Sequence, residues 1–128
     1  MATVHNPVAL YPPYRAYAHA VEVPAGARLL VIAGLNGYEQ DGTTMPQSFE
    51  DQAELIWGYL EAALAEAGMS VADLISLRFY LADPADDETN VQVLMRHLGE
   101  NRVPRTVICA QLLEPGWKIE IEAMAARV

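Results

Sequence analysis

The amino-acid sequence predicts an α+β domain, a sheet with two helices packed on one of its faces. Three observations carry this expectation. Two stretches place apolar residues at three- and four-residue steps, five short apolar or alternating runs lie between turn-rich segments, and the order is strand, strand, helix, strand, helix, strand, strand. The 128 residues suit one domain, residues 1–128, because two independent cores of ordinary size would not fit.

The elements follow in order. Tyr11-Pro12-Pro13-Tyr14 is extended, since each proline disfavours helix at the residue before it. Arg15 to Val23 reads as a first strand, Pro24 to Ala27 as a tight turn, and Arg28 to Ala33 as a short apolar strand. Gly34 to Pro46, with three glycines and Asn36, reads as a loop with room for a strand fragment. From Gln47 to Ala67 the period changes: Phe49, Ala53, Ile56, Leu60, Ala63, Leu64 and Ala67 form one face of a helix. Glu50 and Asp51 suit its dipole, and Gly68 suits its C-terminal end. Ser76 to Ala82 is a strand with Leu77, Phe79 and Leu81 on one face and Arg78 and Tyr80 on the other. After a turn at Asp83 to Asp87, a second helix spans about Glu88 to Gly99, with Val91, Leu94, Met95 and Leu98 on one face. Arg105 to Leu113 and Trp117 to Ala126 are the last strands, parted by a turn at Glu114-Pro115-Gly116.

Two helices cover only one face of such a sheet. Yet the runs Arg28 to Ala33 and Val107 to Ala110 are apolar at both parities, which predicts burial on both faces. In a short chain the economical cover is a second copy, so the pattern predicts a homo-oligomer.

Composition excludes several classes. The formal net charge of −9, with eight scattered Lys and Arg residues, disfavours nucleic acid. No run approaches the roughly 20 apolar residues of a membrane helix. The first ten residues carry no cation ahead of an apolar stretch, so they do not read as a signal peptide. One cysteine, Cys109, forms no internal disulfide, and the expectation is a cytoplasmic protein with Cys109 as a buried core thiol. His5, His19 and His97 lack ligand spacing, so no metal site is expected. No phosphate-cradling or dinucleotide glycine motif is present.

An anionic small molecule meeting this acidic surface needs a local cation. Arg105 follows Pro104 and opens an apolar strand, where its planar fork can grip a carboxylate, although a surface or ion-paired arginine is the commoner role there. Glu120 and Glu122 alternate with Ile119 and Ile121, so both carboxylates share a face. Facing water they only solvate; lining a cleft, one can hold or deprotonate a water molecule. Alternation leaves open whether Arg105 and Glu120 meet within one subunit or across an interface. Tyr11, Tyr14 and Tyr17 form an aromatic cluster that either packs a rim or closes over a ligand.

Pro104-Arg105-Thr106, an apolar strand, and then Lys118-Ile119-Glu120-Ile121-Glu122-Ala123-Met124-Ala125 resemble the signature ending of the RidA/YjgF family of imine and enamine deaminases. The fifteen-residue step from Arg105 to Glu120 matches the spacing of that signature. Tyr17-Ala18-His19-Ala20-Val21, Val31-Ile32-Ala33-Gly34, Gln52, Leu60 to Gly68, Arg78 to Asp83 and Asn90 are similar to further family features, so the resemblance covers roughly residues 14 to 126.

The resemblance implies a chorismate-mutase-like α+β fold with a mixed sheet, assembled as a trimer with ligand clefts between subunits. It implies a hydrolase, a deaminase acting on reactive 2-imino and 2-enamino acids to give 2-oxo acids and ammonia. Arg105 would bind the substrate carboxylate and Glu120 would position the attacking water, with no cofactor, because a protonated imine is already activated. Tyr17 would line the cleft, with Tyr14 as the alternative, and Gly34, Asn90 and Val107 would contact the substrate. The chain departs from the family pattern at Val107, where a cysteine is frequent, at Ala33-Gly34-Leu35 in place of Ser-Gly-Gln, and at Pro104, which abuts Arg105 directly. Two other readings stand beside this one: a catabolic deaminase of aminomuconate-type enamines, and a ligand-binding or regulatory trimer without turnover. Having both Arg105 and Glu120 disfavours the last, since binding alone needs only the arginine. Ribonuclease activity ascribed to some relatives fits poorly with the acidic surface.

Overall fold

The structure, a computed structural model, describes residues 2–128. Its main feature is a four-stranded mixed sheet, built from Arg28–Asn36 (β3), Leu74–Leu81 (β4), Arg105–Cys109 (β5) and Ile119–Arg127 (β6) in the order β3-β6-β4-β5. Strand β6 runs antiparallel to both β3 and β4, whereas β5 runs parallel to β4. Parallel neighbours require a crossover, and the helix Asp87–Leu98 (α2) lies in the connection. A separate antiparallel pair joins Thr3–His5 (β1) to Ala20–Glu22 (β2).

The helix Phe49–Glu66 (α1) starts where the sequence supplies a cap: the Ser48 side chain accepts a hydrogen bond from the Asp51 N–H at 3.1 Å. Gly68, just past its end, takes the left-handed φ of 72° that a glycine adopts freely. Phe49, Ala53, Ile56, Leu60 and Leu64 are buried as the period requires, and Trp57, outside that list, is fully buried too. They meet Leu77, Phe79 and Leu81 of β4 and Ile119 and Ile121 of β6, so the core lies between the helices and one face of the sheet. His97 of α2 stacks on Trp57 with ring centroids 5.1 Å apart, and its two nitrogens face Glu61 and Glu54 of α1 at 2.7 and 2.9 Å. This contact ties the two helices together at their solvent edge.

Several expectations need correction. Of the strand expected over Arg15 to Val23, only Ala20–Glu22 forms; Arg15 has a left-handed φ of 44°, and Tyr17 makes only an isolated bridge to Val103. The partner of Ala20–Glu22, Thr3–His5, had no sequence signal. Strand β3 continues past Ala33 to Asn36 through a register shift between Ile32 and Leu35, so Gly34 to Asn36 are the strand fragment at the start of that loop. Strand β5 ends at Cys109, four residues short of Leu113, and β6 begins at Ile119. In α2, Met95 is exposed and Val93 is buried instead. Cys109 is not a core thiol: it is exposed at the end of β5, an edge strand paired only with β4. The two apolar runs expected to be buried on both faces are open within one chain, since Leu29, Val31 and Ile108 are exposed on the face the helices do not cover.

Candidate functional site

Arg105 stands at the start of β5, paired in register with Leu77 of β4. Parallel partners point the same way, so Arg105 and Val107 share the helix-side face with Leu77 and Phe79. There the guanidinium lies 5.3 Å from the centre of the Tyr17 ring and donates through Nη1 to the Arg15 carbonyl at 3.2 Å. Burial lowers the Arg105 pKa from its ordinary value; the Asp87 carboxylate opposes this effect and Arg15 adds to it. Tyr11, Pro12, Tyr14, Tyr17, Arg105 and Val107 line a cavity of about 280 Å³. Tyr14, Tyr17, Arg105 and Val107 were all expected at the site, and the fold brings these four together.

The backbone that receives Arg105 is built by Arg15. Among the described residues Arg15 is the only non-glycine with positive φ, a conformation that costs on the order of 1 kcal/mol or more and needs a reason to persist. Its guanidinium makes a double hydrogen bond to both Glu88 carboxylate oxygens, at 3.0 and 3.1 Å, at the start of α2. The same pair raises the Arg15 pKa and lowers that of Glu88. Sequence reasoning missed Arg15, because nothing in Tyr14-Arg15-Ala16 announces a left-handed residue.

Glu120 lies elsewhere. In β6 it pairs with Tyr80 of β4 and Asn36 of β3, on the face opposite Ile119 and Ile121. Its Oε1 accepts from Asn36 Nδ2 at 3.2 Å, and it lines a second cavity with Tyr80, Gln111 and Leu113. Neighbouring Glu122 accepts from the Tyr80 hydroxyl and lies 3.5 Å from Arg78. Gly34 packs flat against Glu120: a Cβ added there would fall 2.1 Å from Oε2. Asn36 was another unforeseen partner. Only the β3–β6 register reveals it, and the sequence does not contain that register.

Arg105 and Glu120 therefore do not meet within one chain. They occupy opposite faces of the sheet, two strands apart and three residues displaced along β4. A strand spacing of about 4.8 Å and a rise of about 3.3 Å put their Cα atoms roughly 14 Å apart. Asn90, in the first turn of α2, is fully buried and its side-chain amide has no hydrogen-bond partner, and it does not line the Arg105 cavity. Among the described residues no group of three or more His, Cys, Asp or Glu could hold a metal ion, and no helix is long and apolar enough to cross a membrane.

The family model described as Endoribonuclease L-PSP, which corresponds to the RidA/YjgF family, matches residues 8–127. The chain belongs to the RidA/YjgF family. Among solved structures, a Rid-family protein of unknown function from Yersinia pestis, YyfB, is 31% identical and superposes with a TM-score of 0.87 over 98% of both chains. RidA from an Antarctic Psychrobacter is 25% identical, with a TM-score of 0.73 over 87% of this chain and 88% of its own. TdcF of Escherichia coli, whose name assigns it a provisional reactive intermediate deaminase activity, is 33% identical over 65% of this chain and 67% of its own. A RutC family protein of Pyrococcus horikoshii is 27% identical over 88% of both chains. These neighbours agree with the observed α+β architecture of two helices and mixed sheets. Names within the RidA/YjgF family span a deaminase, an endoribonuclease and proteins of unknown function.

Proposed function

We propose that this RidA/YjgF chain hydrolyses reactive 2-imino and 2-enamino acids to 2-oxo acids and ammonia. The observation that carries this reading is Arg105, half-buried against Tyr17 in an aromatic cavity, with one N–H engaged by the Arg15 carbonyl. A guanidinium has five N–H donors in a rigid fork, so most of the fork remains to grip a carboxylate in two parallel hydrogen bonds.

In the proposed reaction the protonated imine carbon is the electrophile. Glu120 accepts a proton from water as the oxygen attacks that carbon, giving a carbinolamine. The proton passes from Glu120 to nitrogen, the carbon–nitrogen bond breaks as the hydroxyl gives up its proton to the departing ammonia, and the products are a 2-oxo acid and an ammonium ion. The substrate supplies its own activation, so the step needs no cofactor.

With Arg105 and Glu120 on opposite faces, Arg105 of one copy must approach Glu120 of another. The uncovered apolar face, with Leu29, Val31 and Ile108 exposed, supports such packing. A homotrimer with clefts between subunits is the assembly proposed, and light scattering should then give about three times the 14.0 kDa chain mass. A coupled assay tests the activity: an L-amino-acid oxidase generates short-lived imines, and ammonia release is followed with and without the protein. Arg105→Ala should lose at least tenfold in efficiency and Glu120→Gln should bind 2-oxo acids yet turn over slowly. Mixing the two variants under conditions of subunit exchange should restore activity, because some clefts then regain both groups. Wild-type protein that leaves imine hydrolysis unaccelerated would refute the deaminase reading; a mixture that stays inactive while each variant is folded would refute the shared cleft.

A further inference from the structure

We infer that the cavity beside Arg105 is a side-chain pocket that selects 2-imino acids bearing an aromatic or similarly bulky flat apolar group. The inference rests on the deaminase reading and names its substrate class.

The lining carries the argument. Five of its six residues, Tyr11, Pro12, Tyr14, Tyr17 and Val107, are aromatic or aliphatic, and the sixth is Arg105. The chain has 17 Asp and Glu against 8 Lys and Arg, yet no carboxylate lines this cavity. A substrate side chain with a positive charge finds no partner there. The nearest second cation, Arg15, lies 5.2 Å from the centre of the Tyr14 ring and is already held by Glu88 through two hydrogen bonds, so a second negative charge on the substrate finds no free cation in the lining. What remains is an apolar group.

Geometry gives that group a place. Val107 lies two residues beyond Arg105 on the same face of β5, so a ligand anchored through its carboxylate extends along the strand over Val107. The tyrosines form the facing wall. Tyr11 and Tyr17 each meet the His19 ring edge to face, at 5.3 and 5.6 Å, so one imidazole braces both rings. Tyr17 is already engaged beneath the guanidinium. Tyr11 and Tyr14 are 72% and 68% exposed, large apolar rings open to water beside a cation. A planar ring entering between them would bury aromatic faces in offset or edge-on contact. A cavity of about 280 Å³ lies at the lower end of small-molecule sites, room for a carboxylate and one ring. The methyl group of an alanine-derived imine would leave most of this wall wet.

The test supplies, at matched rates, the imines of alanine, leucine and phenylalanine from an L-amino-acid oxidase, and measures pyruvate and phenylpyruvate binding by calorimetry. The phenylalanine imine should show at least a tenfold higher kcat/KM than the alanine imine, the scale on which apolar pockets discriminate by a few carbon atoms. Phenylpyruvate should bind more tightly than pyruvate by a similar factor. Tyr11→Ala and Tyr14→Ala, at exposed positions, should bring both ratios down towards one while circular dichroism stays unchanged. Turnover of the alanine imine as efficient as that of the phenylalanine imine overturns the pocket and leaves the deaminase reading standing. Preferential phenylpyruvate binding without turnover of any imine keeps the pocket and sinks the deaminase reading. Neither turnover nor discrimination between the two 2-oxo acids removes both. Ratios unaltered in both tyrosine variants overturn the role of the wall.

Discussion

A methyl group added at Gly34 should separate turnover from binding. In Gly34→Ala the new Cβ would sit 2.1 Å from Glu120 Oε2, 2.9 Å from Cδ and 3.2 Å from Cγ. Ordinary contact begins near 3.4 Å, so the carboxylate oxygen must retreat by about 1.3 Å. The retreat is cheap for the fold, because the clash is with the end of a side chain and the Asn36 hydrogen bond it disturbs is a long one at 3.2 Å. It is expensive for chemistry that needs Glu120 in one place: a displacement of about 1 Å at a positioned group costs on the order of a hundredfold in rate.

The expected phenotype follows from the two faces. Gly34 touches Glu120 and, within its own chain, does not line the Arg105 cavity, so kcat should fall about a hundredfold while 2-oxo acid affinity stays within a factor of two or so of wild type. Stopped-flow measurement of imine hydrolysis and calorimetry with a 2-oxo acid give the two numbers, and thermal unfolding checks stability. If Gly34→Ala, folded and assembled like wild type, turns over at the wild-type rate, then Glu120 does not position the attacking water. Weakened binding with normal kcat would refute the assignment of the two faces to separate tasks.

Three further outcomes are expected. Gly37→Ala should destabilise the fold by about 1–3 kcal/mol, read from denaturant midpoints, because its Cβ would lie 2.7 Å from the Cα of buried Gln52, whose amide bonds Pro46, Gly116 and Lys118. Arg15→Gly removes the left-handed strain but also the Glu88 pair, so it should fold normally and bind 2-oxo acids several-fold more weakly by calorimetry; exchanging the charges in Arg15→Glu with Glu88→Arg should recover part of that loss. Asp41 should titrate at about 2 by carbon NMR, pulled below 3.8 first by the Thr44 hydroxyl and then by the Thr44 and Thr43 N–H groups. A depressed carboxyl stabilises the folded state above the unfolded pKa, so this contribution should be lost as pH falls from about 4 to about 2, and Thr44→Val should move the midpoint up.

The helices and β4 were legible because their periods are clean. Leu77, Phe79 and Leu81 alternate with Arg78 and Tyr80, and α1 repeats its apolar face over five turns between Ser48 and Gly68. The N-terminal region was not legible. Thr3–His5 is too short and exposed to leave a pattern, and the Arg15 ion pair to Glu88, seventy-three residues away, is a tertiary contact with no local signal. Cys109 is exposed because β5 is an edge strand, and the apolar run Val107 to Ala110 carries no signal that separates an edge strand from a buried one. The candidate site was legible as a set of residue types and a spacing. Its division into two faces depends on pairing Leu77 with Arg105 and Tyr80 with Glu120, which the sequence does not contain.

That division has a chemical logic on the proposed reading. A carboxylate within about 4–6 Å of a half-buried guanidinium pairs with it, and the pair then excludes a substrate carboxylate from the fork. Placing Glu120 across the sheet, roughly 14 Å away in its own chain, prevents that internal pair from forming. Arg105 instead rests on Tyr17 and one backbone carbonyl, contacts that orient the fork and leave it cationic on a surface whose net charge of −9 repels anions elsewhere. Asp87 is the acidic neighbour, and it forms no hydrogen bond or ion pair with Arg105 among the described residues. On the proposed reading, assembly would join the carboxylate anchor of one copy to the water-positioning Glu120 of the next, with a substrate between them. An isolated chain would hold both groups on opposite faces and could not use them together on this reading, so activity should depend on the concentration at which subunits associate.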